Sequence, residues 1–410
     1  MSELVTLDIE SIAAGGDGIA RHDGLVVFVP RTAPGDRVQV RIERGRRFAR
    51  GRVERIKRPS DQRAEPRCPH YTRDRCGGCQ LQHMSLAAQR VARQRIVSDN
   101  IRRIGRRDVA LPTMHAAGDA WRYRQRVSLA LRHGPDGWKG GFHRCDGDDI
   151  FPLEDCWIAR EDVMALWRDV LRGSVDLLPP GAALRLTVGA ADGRGSVVVE
   201  GGAAWPGATR FAASLPESVA AWWVPEGGRR RRVRAGVEGS PDASFSQVNP
   251  PVGHALLQYV EATVKAAGAK RVVDAYSGTG ALAAALHVSG VAVAAIELDA
   301  EASAHAAARL GRPSRAIAAR VEDVIEEVLP ADVVVVNPPR GGLHARVSAA
   351  IERAARDVSA LVYVSCDPAT LARDLARLPS WEVDTLDSFD MFPQTAHVET
   401  VAVLRAGSAS

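Results

Sequence analysis

Arg271-Val272-Val273-Asp274-Ala275-Tyr276-Ser277-Gly278-Thr279-Gly280 is the stretch on which the fold turns. A short apolar, β-branched run ends in glycines, and Ala281-Leu282-Ala283-Ala284-Ala285-Leu286 then opens a helix. A second apolar run from Val291 to Leu298 carries Glu297 near its end. In this strand–turn–helix–strand order the glycines admit a nucleoside cofactor, and an acid after the second strand holds its ribose hydroxyls. Gly278 and Gly280 make only Gly-x-Gly, without the third glycine expected for a dinucleotide pyrophosphate. The turn therefore points to a cofactor lacking pyrophosphate, such as S-adenosylmethionine. Any tight βα turn can use glycine for its own sake, so it is Glu297 at the matching place that gives the pattern weight.

Further along, three more strand ends carry chemistry. Val333-Val334-Val335-Val336 runs into the rigid loop Asn337-Pro338-Pro339-Arg340. Tyr363-Val364-Ser365-Cys366-Asp367-Pro368 puts a thiol just after another buried, β-branched run. Phe392-Pro393-Gln394-Thr395-Ala396-His397-Val398-Glu399-Thr400 brings a carboxylate near a third. α/β folds place their chemistry where parallel strands end, so an amide, a thiol and an acid can converge there on one substrate. A lone cysteine is more often a small buried hydrophobe. In this company Cys366 reads as a nucleophile.

At 410 residues the chain is long enough for two or three domains. No run of about 18 apolar residues suggests a membrane span. Met1 to Glu10 is acidic and no apolar signal region follows, so a cytoplasmic protein with its six cysteines reduced is expected. Charge is unevenly spread: of 54 Lys/Arg and 49 Asp/Glu, residues 241–410 hold 14 and 20, leaving 40 and 29 before them. Residues 41–58 alone carry nine basic and two acidic side chains, and a second basic segment spans Arg90 to Arg107. Charge runs are usually solvated faces, but two dense clusters ahead of a catalytic domain argue for binding a phosphate backbone. Arg229-Arg230-Arg231-Arg232-Val233-Arg234, after two glycines, reads as a flexible loop with a secondary RNA contact.

The first sixty residues read as a small all-β module, with strands at Leu4 to Ile9, Leu25 to Val29, Arg37 to Ile42 and Gly51 to Ile56. Such a barrel suits single-stranded or looped RNA, and Pro59 to Asp61 reads as a linker. Cys68, Cys76 and Cys79 then form a C-x7-C-x2-C array. Three closely spaced thiols in a cytosolic protein usually hold a metal; zinc and an iron–sulfur cluster both accept thiolates. The fourth ligand is either Cys145 or Cys156.

These features together resemble a family, the bacterial RNA 5-methyluridine methyltransferases, in the branch with a TRAM domain and a [4Fe-4S] cluster acting on 23S ribosomal RNA. The carriers are Gly15 to Ala20 with Val26 to Pro30, Cys76-Gly77-Gly78-Cys79-Gln80, and Phe245-Ser246-Gln247-Val248-Asn249. The glycine turn, Pro338-Pro339-Arg340, Ser365-Cys366 and His397-Val398-Glu399 complete them. The resemblance covers nearly the whole chain. It implies an α/β multidomain protein: a TRAM-like, OB-like barrel (1–58), a central iron–sulfur RNA-binding region (59–240) and a Rossmann-like methyltransferase (241–410). It further implies Cys366 as nucleophile, Glu399 as base, and Gln247, Tyr276, Gly278, Gly280, Glu297 and Asn337 at the cofactor. Cys156 becomes the fourth ligand beside Cys68, Cys76 and Cys79, and a monomeric enzyme is expected. Asp323 is a candidate for the adenine. Two departures stand out: Asn337 replaces the family's usual Asp, and the first cysteine spacing is longer than the usual five.

Other classes have their own signatures. An amino-group methyltransferase uses an Asn-Pro-Pro loop, but usually with an aromatic residue where Arg340 stands, and has no use for Cys366. A transfer-RNA uridine or a cytosine-5 methyltransferase would need the same thiol. A non-catalytic RNA-binding protein would leave both the cofactor turn and Cys366 idle.

Overall fold

The computed structural model describes residues 3–135, 137–191, 193–236 and 247–407; Phe245 and Ser246 of the Phe-x-Gln-x-Asn segment lie outside the described residues. Two compact units are present, and neither is continuous in sequence. One comprises Met1–Glu65, Gln80–Ala117 and Pro251–Ser410, the other Pro66–Cys79 and Gly118–Pro250.

The first unit begins with a six-stranded sheet: β1 (Glu3–Asp8), β2 (Ser11–Ile12), β3 (Gly18–His22), β4 (Leu25–Val29), β5 (Arg37–Arg44) and β6 (Ala49–Arg58). The strands lie in the order β1-β5-β6-β4-β3-β2. Side chains alternate across the pleat, so Val38, Val40 and Ile42 are buried with Val27 and Val29 while the intervening Gln39 and Arg41 are only partly buried. β3 was not expected, because its apolar content is only Ile19 and Ala20 beside a glycine-rich turn. Residues 59–61 are not a free linker. Ser60 donates its N–H to buried Asp36 (2.8 Å) and its hydroxyl to the Pro34 carbonyl (2.6 Å), and Arg63 pairs with the same Asp36 (2.6 Å).

After a short helix of the second unit, α1 (Pro69–Thr72), the chain forms α2 (Leu86–Arg103) and β7 (Thr113–His115). Ser85 caps α2 by accepting from the Ala88 N–H (3.3 Å). This is the second basic segment; three of its seven arginines are engaged within the fold, while Arg95, Arg102, Arg103 and Arg106 are exposed. Arg93 is fully buried; it pairs with Asp390 at 2.6 Å and donates to the carbonyls of Phe392 and Thr395, both at 3.1 Å. Arg90 reaches the other oxygen of Asp390 (2.7 Å). Arg107 donates to the carbonyls of Leu375 (2.8 Å), Leu378 (2.7 Å) and Trp381.

The second unit holds a seven-stranded sheet formed by β8 (Arg126–Gly134), β9 (Gly137–His143), β10 (Ile150–Pro152), β11 (Ala183–Ala191), β12 (Arg194–Glu200), β13 (Val219–Val224) and β14 (Arg231–Arg234), with α3 (Glu161–Gly173) and α4 (Ala208–Ser214). α3 buries Val163, Met164, Leu166, Trp167 and Val170 against it. The arginine run is a strand here, not a flexible loop. β14 pairs with β13, Arg231 lies over Trp223 at 5.5 Å, and Arg234 donates to the carbonyls of Val219 and Leu215 at 2.9 and 3.2 Å. Backbone carbonyls and the face of Trp223 hold Arg234 and Arg231 in a run that composition alone read as a flexible loop.

The rest of the first unit runs α5 (Pro250–Ala266), β15 (Arg271–Ala275), α6 (Ala281–Val288), β16 (Ala292–Glu297), α7 (Ala300–Arg309), β17 (Arg315–Ala318) and α8 (Val321–Val328). It continues through β18 (Val333–Val336), α9 (Ala345–Arg353), β19 (Ala360–Ser365), α10 (Pro368–Leu375), β20 (Trp381–Phe389) and β21 (Glu399–Ala406). The sheet order is β17-β16-β15-β18-β19-β21-β20-β7, parallel from β17 to β19, with β21 antiparallel to both neighbours. β18 and β19 are buried at every position, as strands covered on both faces must be.

Asp390→Ala leaves the Arg93 guanidinium buried without its carboxylate. Loss of one partner from such a pair costs about 3–5 kcal/mol. Denaturant unfolding of the full chain should show that loss, well beyond that of a surface substitution such as Asp384→Ala.

Candidate active site

Strand order reverses between β15 and β18, and ligands of open α/β sheets bind in the crevice at that switch point. The turn after β15 is strongly bent: Tyr276, Gly278 and Gly280 have φ of 62°, 55° and 72°. A Cβ on Gly280 would lie 2.5 Å from the Ala306 Cβ, so glycine is needed there for packing of the turn, whereas one on Gly278 would meet open space. Glu297 braces the turn: its Oε2 accepts the Gly278 N–H (2.9 Å) and its Oε1 the Asp299 N–H (2.8 Å). Each oxygen keeps a second lone pair for a ligand. Asp274 lies beneath; burial, offset by the Ala283 N–H and reinforced by Glu297, pushes its carboxyl up to about 7.

Asn337 continues from β18 through its N–H to the Ala275 carbonyl (3.2 Å). The loop beyond it is tied to α10: Thr370 donates its hydroxyl to the Arg340 carbonyl (3.0 Å), and Arg373 donates to that of Gly341 (2.7 Å). Buried Asp374 accepts from the Leu343 N–H (2.7 Å) and the Tyr363 hydroxyl (2.8 Å), fixing the loop to β19.

Ser365 of β19 lies opposite Thr400 of β21, so Cys366 and Glu399 are the residues adjoining that pair on the same edge of the sheet. Cys366 is half-buried and Glu399 is 4% exposed. Burial raises the Cys366 thiol, the Glu399 carboxylate raises it further, and Arg340 pulls it back. Burial pushes Glu399 up to about 8 against the opposing pull of the same Arg340. The loop before Glu399 is clasped by the segment around α2: Gln89 donates to the Gln394 side-chain oxygen (3.0 Å) and accepts its backbone N–H (2.9 Å), and Leu81 donates to its carbonyl (3.0 Å).

Tyr276, Gly278, Gly280, Glu297, Asn337, Cys366 and Glu399 thus share one unit and one sheet edge. Gln247 belongs to the other unit, where Gln125 donates to its carbonyl (2.8 Å). Asp323, in the first turn of α8, is engaged by Arg346 at 2.7 Å. Arg340, Asp374 and Arg93 were not singled out as site residues. Arg340 had a signal in its place after the two prolines; the others act across sequence separations that no local pattern records.

Cys68, Cys76, Cys79 and Cys156 all lie in the second unit as free thiols, the first three buried. Cys68 and Cys79 share an apolar cluster with Tyr71, Tyr123 and Ile158, with Cys156 packed against it. Burial raises the Cys156 thiol, and Cys68 adds to that. The Gly78 N–H donates to the Cys76 sulfur at 3.4 Å. Among the described residues, no three His, Cys, Asp or Glu side chains are assembled as a metal site. Cys145 is exposed.

Fold and site make the protein a Rossmann-like methyltransferase that uses S-adenosylmethionine. Residues 312–406 match the tRNA (Uracil-5-)-methyltransferase family and residues 3–53 the TRAM domain. The 23S rRNA (uracil(1939)-C(5))-methyltransferase RlmD of Azoarcus sp. is 32% identical, over 98% of this chain and 99% of its own. The RlmD of Chromohalobacter salexigens is 31% identical, over 97% and 88%. The tRNA (uracil-54, C5)-methyltransferase of Pyrococcus abyssi, solved with S-adenosyl-L-homocysteine, shares the fold with a TM-score of 0.69 at 22% identity, over 98% of this chain and 100% of its own. The chain belongs to the RNA (uracil-5-)-methyltransferase family with an N-terminal TRAM domain.

In the folded protein Glu399 stays protonated until about pH 8, whereas in the unfolded chain it ionises near 4.5. Between those values the folded state binds the extra proton, so stability falls as pH rises, by up to about 1.4 kcal/mol per pH unit. Glu399→Gln should flatten that decline. Unfolding midpoints at pH 5 and pH 8 should therefore lie closer together in the variant than in the unaltered protein.

Proposed function

We propose that the protein methylates C5 of a uridine in 23S ribosomal RNA through a covalent bond from Cys366 to C6. The observation that carries this is the placing of Cys366 and Glu399 at adjoining strand ends, on the edge that holds the glycine turn. Uracil C5 is too weak a nucleophile to attack a methylsulfonium. Addition of the Cys366 thiolate at C6 gives an enolate with electron density on C5, which takes the methyl group. Glu399 then removes the C5 proton, and the C5–C6 double bond reforms as the thiolate leaves. A carboxyl held near pH 8 suits a base that receives a proton late in the reaction. Arg340 is the cation that favours the charged forms of both groups.

S-adenosylmethionine supplies the electrophilic methyl group. Tyr276, Gly278, Gly280, Glu297 and Asn337 would hold it, with Gln247 contributing from the Phe-x-Gln-x-Asn segment. Asn337, lacking the usual charge, offers both a donor and an acceptor. The amino-group alternative, which rests on this residue, gives Cys366 and Glu399 no role. We assign the basic first half, residues 1–58 and 59–240, to RNA and residues 241–410 to the chemistry, in a cytoplasmic monomer. No helix among the described residues is long and apolar enough to cross a membrane.

Cys68, Cys76, Cys79 and Cys156 would hold a [4Fe-4S] cluster. A sulfur-only donor set in mostly buried surroundings, with a backbone N–H already aimed at one sulfur, fits such a cluster. Protein purified without oxygen should be brown and contain about four irons per chain. One zinc per chain with no iron or sulfide would refute the assignment.

Cys366→Ala should abolish methyl transfer, since C5 never becomes nucleophilic. Glu399→Gln should permit addition and methylation but stall before elimination. Denaturing gels of reactions with methyl-labelled cofactor should then show a labelled protein–RNA adduct in the Glu399 variant only. Full turnover by Cys366→Ala would overturn the mechanism.

A further inference from the structure

The turn joining β5 to β6 is closed by the Gly45 N–H donating to the Phe48 carbonyl at 2.9 Å, which leaves Arg46 and Arg47 at its tip. Phe48 is 42% exposed, unusual for so large an apolar ring. Phe28 meets it nearly edge-on, with centroids 5.5 Å apart and planes at 80°, so the ring is fixed in orientation. The Arg50 guanidinium stands 6.0 Å from its centroid.

Arg41 and Arg52 both reach Glu54, at 3.1 and 3.0 Å, and Arg44 is shared between Asp23 (2.6 Å) and Glu3 (3.2 Å). Arg46, Arg47 and Arg50 take part in none of the ion pairs among the described residues, and all three are exposed. Exposed cations outside those pairs also stand at Arg37, Arg55 and Arg58, but Arg46, Arg47 and Arg50 are the three that share the β5–β6 turn and its flank with the exposed ring. An exposed aromatic ring in the same turn as exposed guanidiniums is matched by a π-face beside phosphates, which is what an unpaired nucleotide presents.

We propose that Phe48 is a stacking platform for an unpaired base of the substrate RNA, with Arg46, Arg47 and Arg50 on the flanking phosphates. The inference rests on RNA being the substrate, and names the single-stranded element that the hairpin takes. Bases inside a duplex hide their faces, so stacking selects single strands, whereas the arginines alone would bind either form.

The test uses the full chain, a fluorescein-labelled 12-nucleotide oligouridylate and an RNA duplex of the same length, titrated at several salt concentrations. Phe48→Ala should weaken single-strand binding by about 5- to 100-fold with an unchanged salt slope, and leave duplex binding nearly intact. Phe48→Trp should restore affinity, a rescue that mere packing against Phe28 would not give. The double variant Arg46→Gln/Arg47→Gln should instead flatten the salt slope by about 1.4, the value for two single-strand phosphates. Unchanged single-strand affinity in Phe48→Ala, or equal loss for the duplex, would overturn the proposal. Methyl transfer to transcribed 23S ribosomal RNA, followed in parallel, separates the two readings. If Phe48 governs binding but no RNA is methylated, the platform stands and the reaction falls; if RNA is methylated and Phe48→Ala binds normally, the platform falls alone.

Discussion

Arg93 enters the interior from α2, and its charge has to be answered there because an unpaired guanidinium in low dielectric is very costly. The answer is Asp390 together with the carbonyls of Phe392 and Thr395. Those partners belong to the short segment between β20 and β21, and Glu399 follows directly. A side chain from early in the sequence therefore sets the path of the loop that delivers the candidate base. Gln89 and Arg90 bind the same segment from the same helix. A buried pair of this kind adds little net stability over a well-packed apolar one. Its value here is geometric, since only one path of the loop satisfies all the donors at once.

The thiol and the carboxyl share a problem that Arg340 moderates. Both are pushed toward their neutral forms by burial, and the Glu399 carboxylate raises the thiol further. Before substrate arrives the pair is therefore biased toward holding its protons. This suits the nucleophile proposed at Cys366, which must stay unreacted until a pyrimidine occupies the site. A carboxyl titrating near 8 also keeps an ionised fraction at working pH, which is the form the proposed proton removal from carbon needs.

Much of this was legible in the sequence, and the reasons are local. The glycine turn, the acid that ends β16 and the apolar runs of β18 and β19 are nearest-neighbour patterns, and they predicted a Rossmann-like fold correctly. The arginine run of β14 misled, and the buried part of α2 was invisible, because composition records charge but not its partner. Arg93 and Arg234 satisfy carbonyls that only the tertiary fold brings near. Asp374 is similar: an acid inside α10 becomes a brace for the Arg340 loop only when β19 supplies Tyr363. β3 escaped notice because two apolar residues cannot announce a strand.

The strand β7 adds to the far edge of a sheet made otherwise from the last third of the chain. His115, at its end, bonds to Asp387 across 272 residues at 2.7 Å. During synthesis β7 and the buried polar side chains of α2 must therefore wait for their partners while most of the second unit and much of the first are made. At about 5–20 residues per second this delay is roughly 14–54 s. Through that interval α2 can pack on Ile12, Ala33, Leu81 and Met84, but its Gln89 and Arg93 still lack Gln394 and Asp390. The chain's order of manufacture thus makes its amino-terminal helix a dependent of the carboxyl terminus, and a candidate client for chaperones until translation ends.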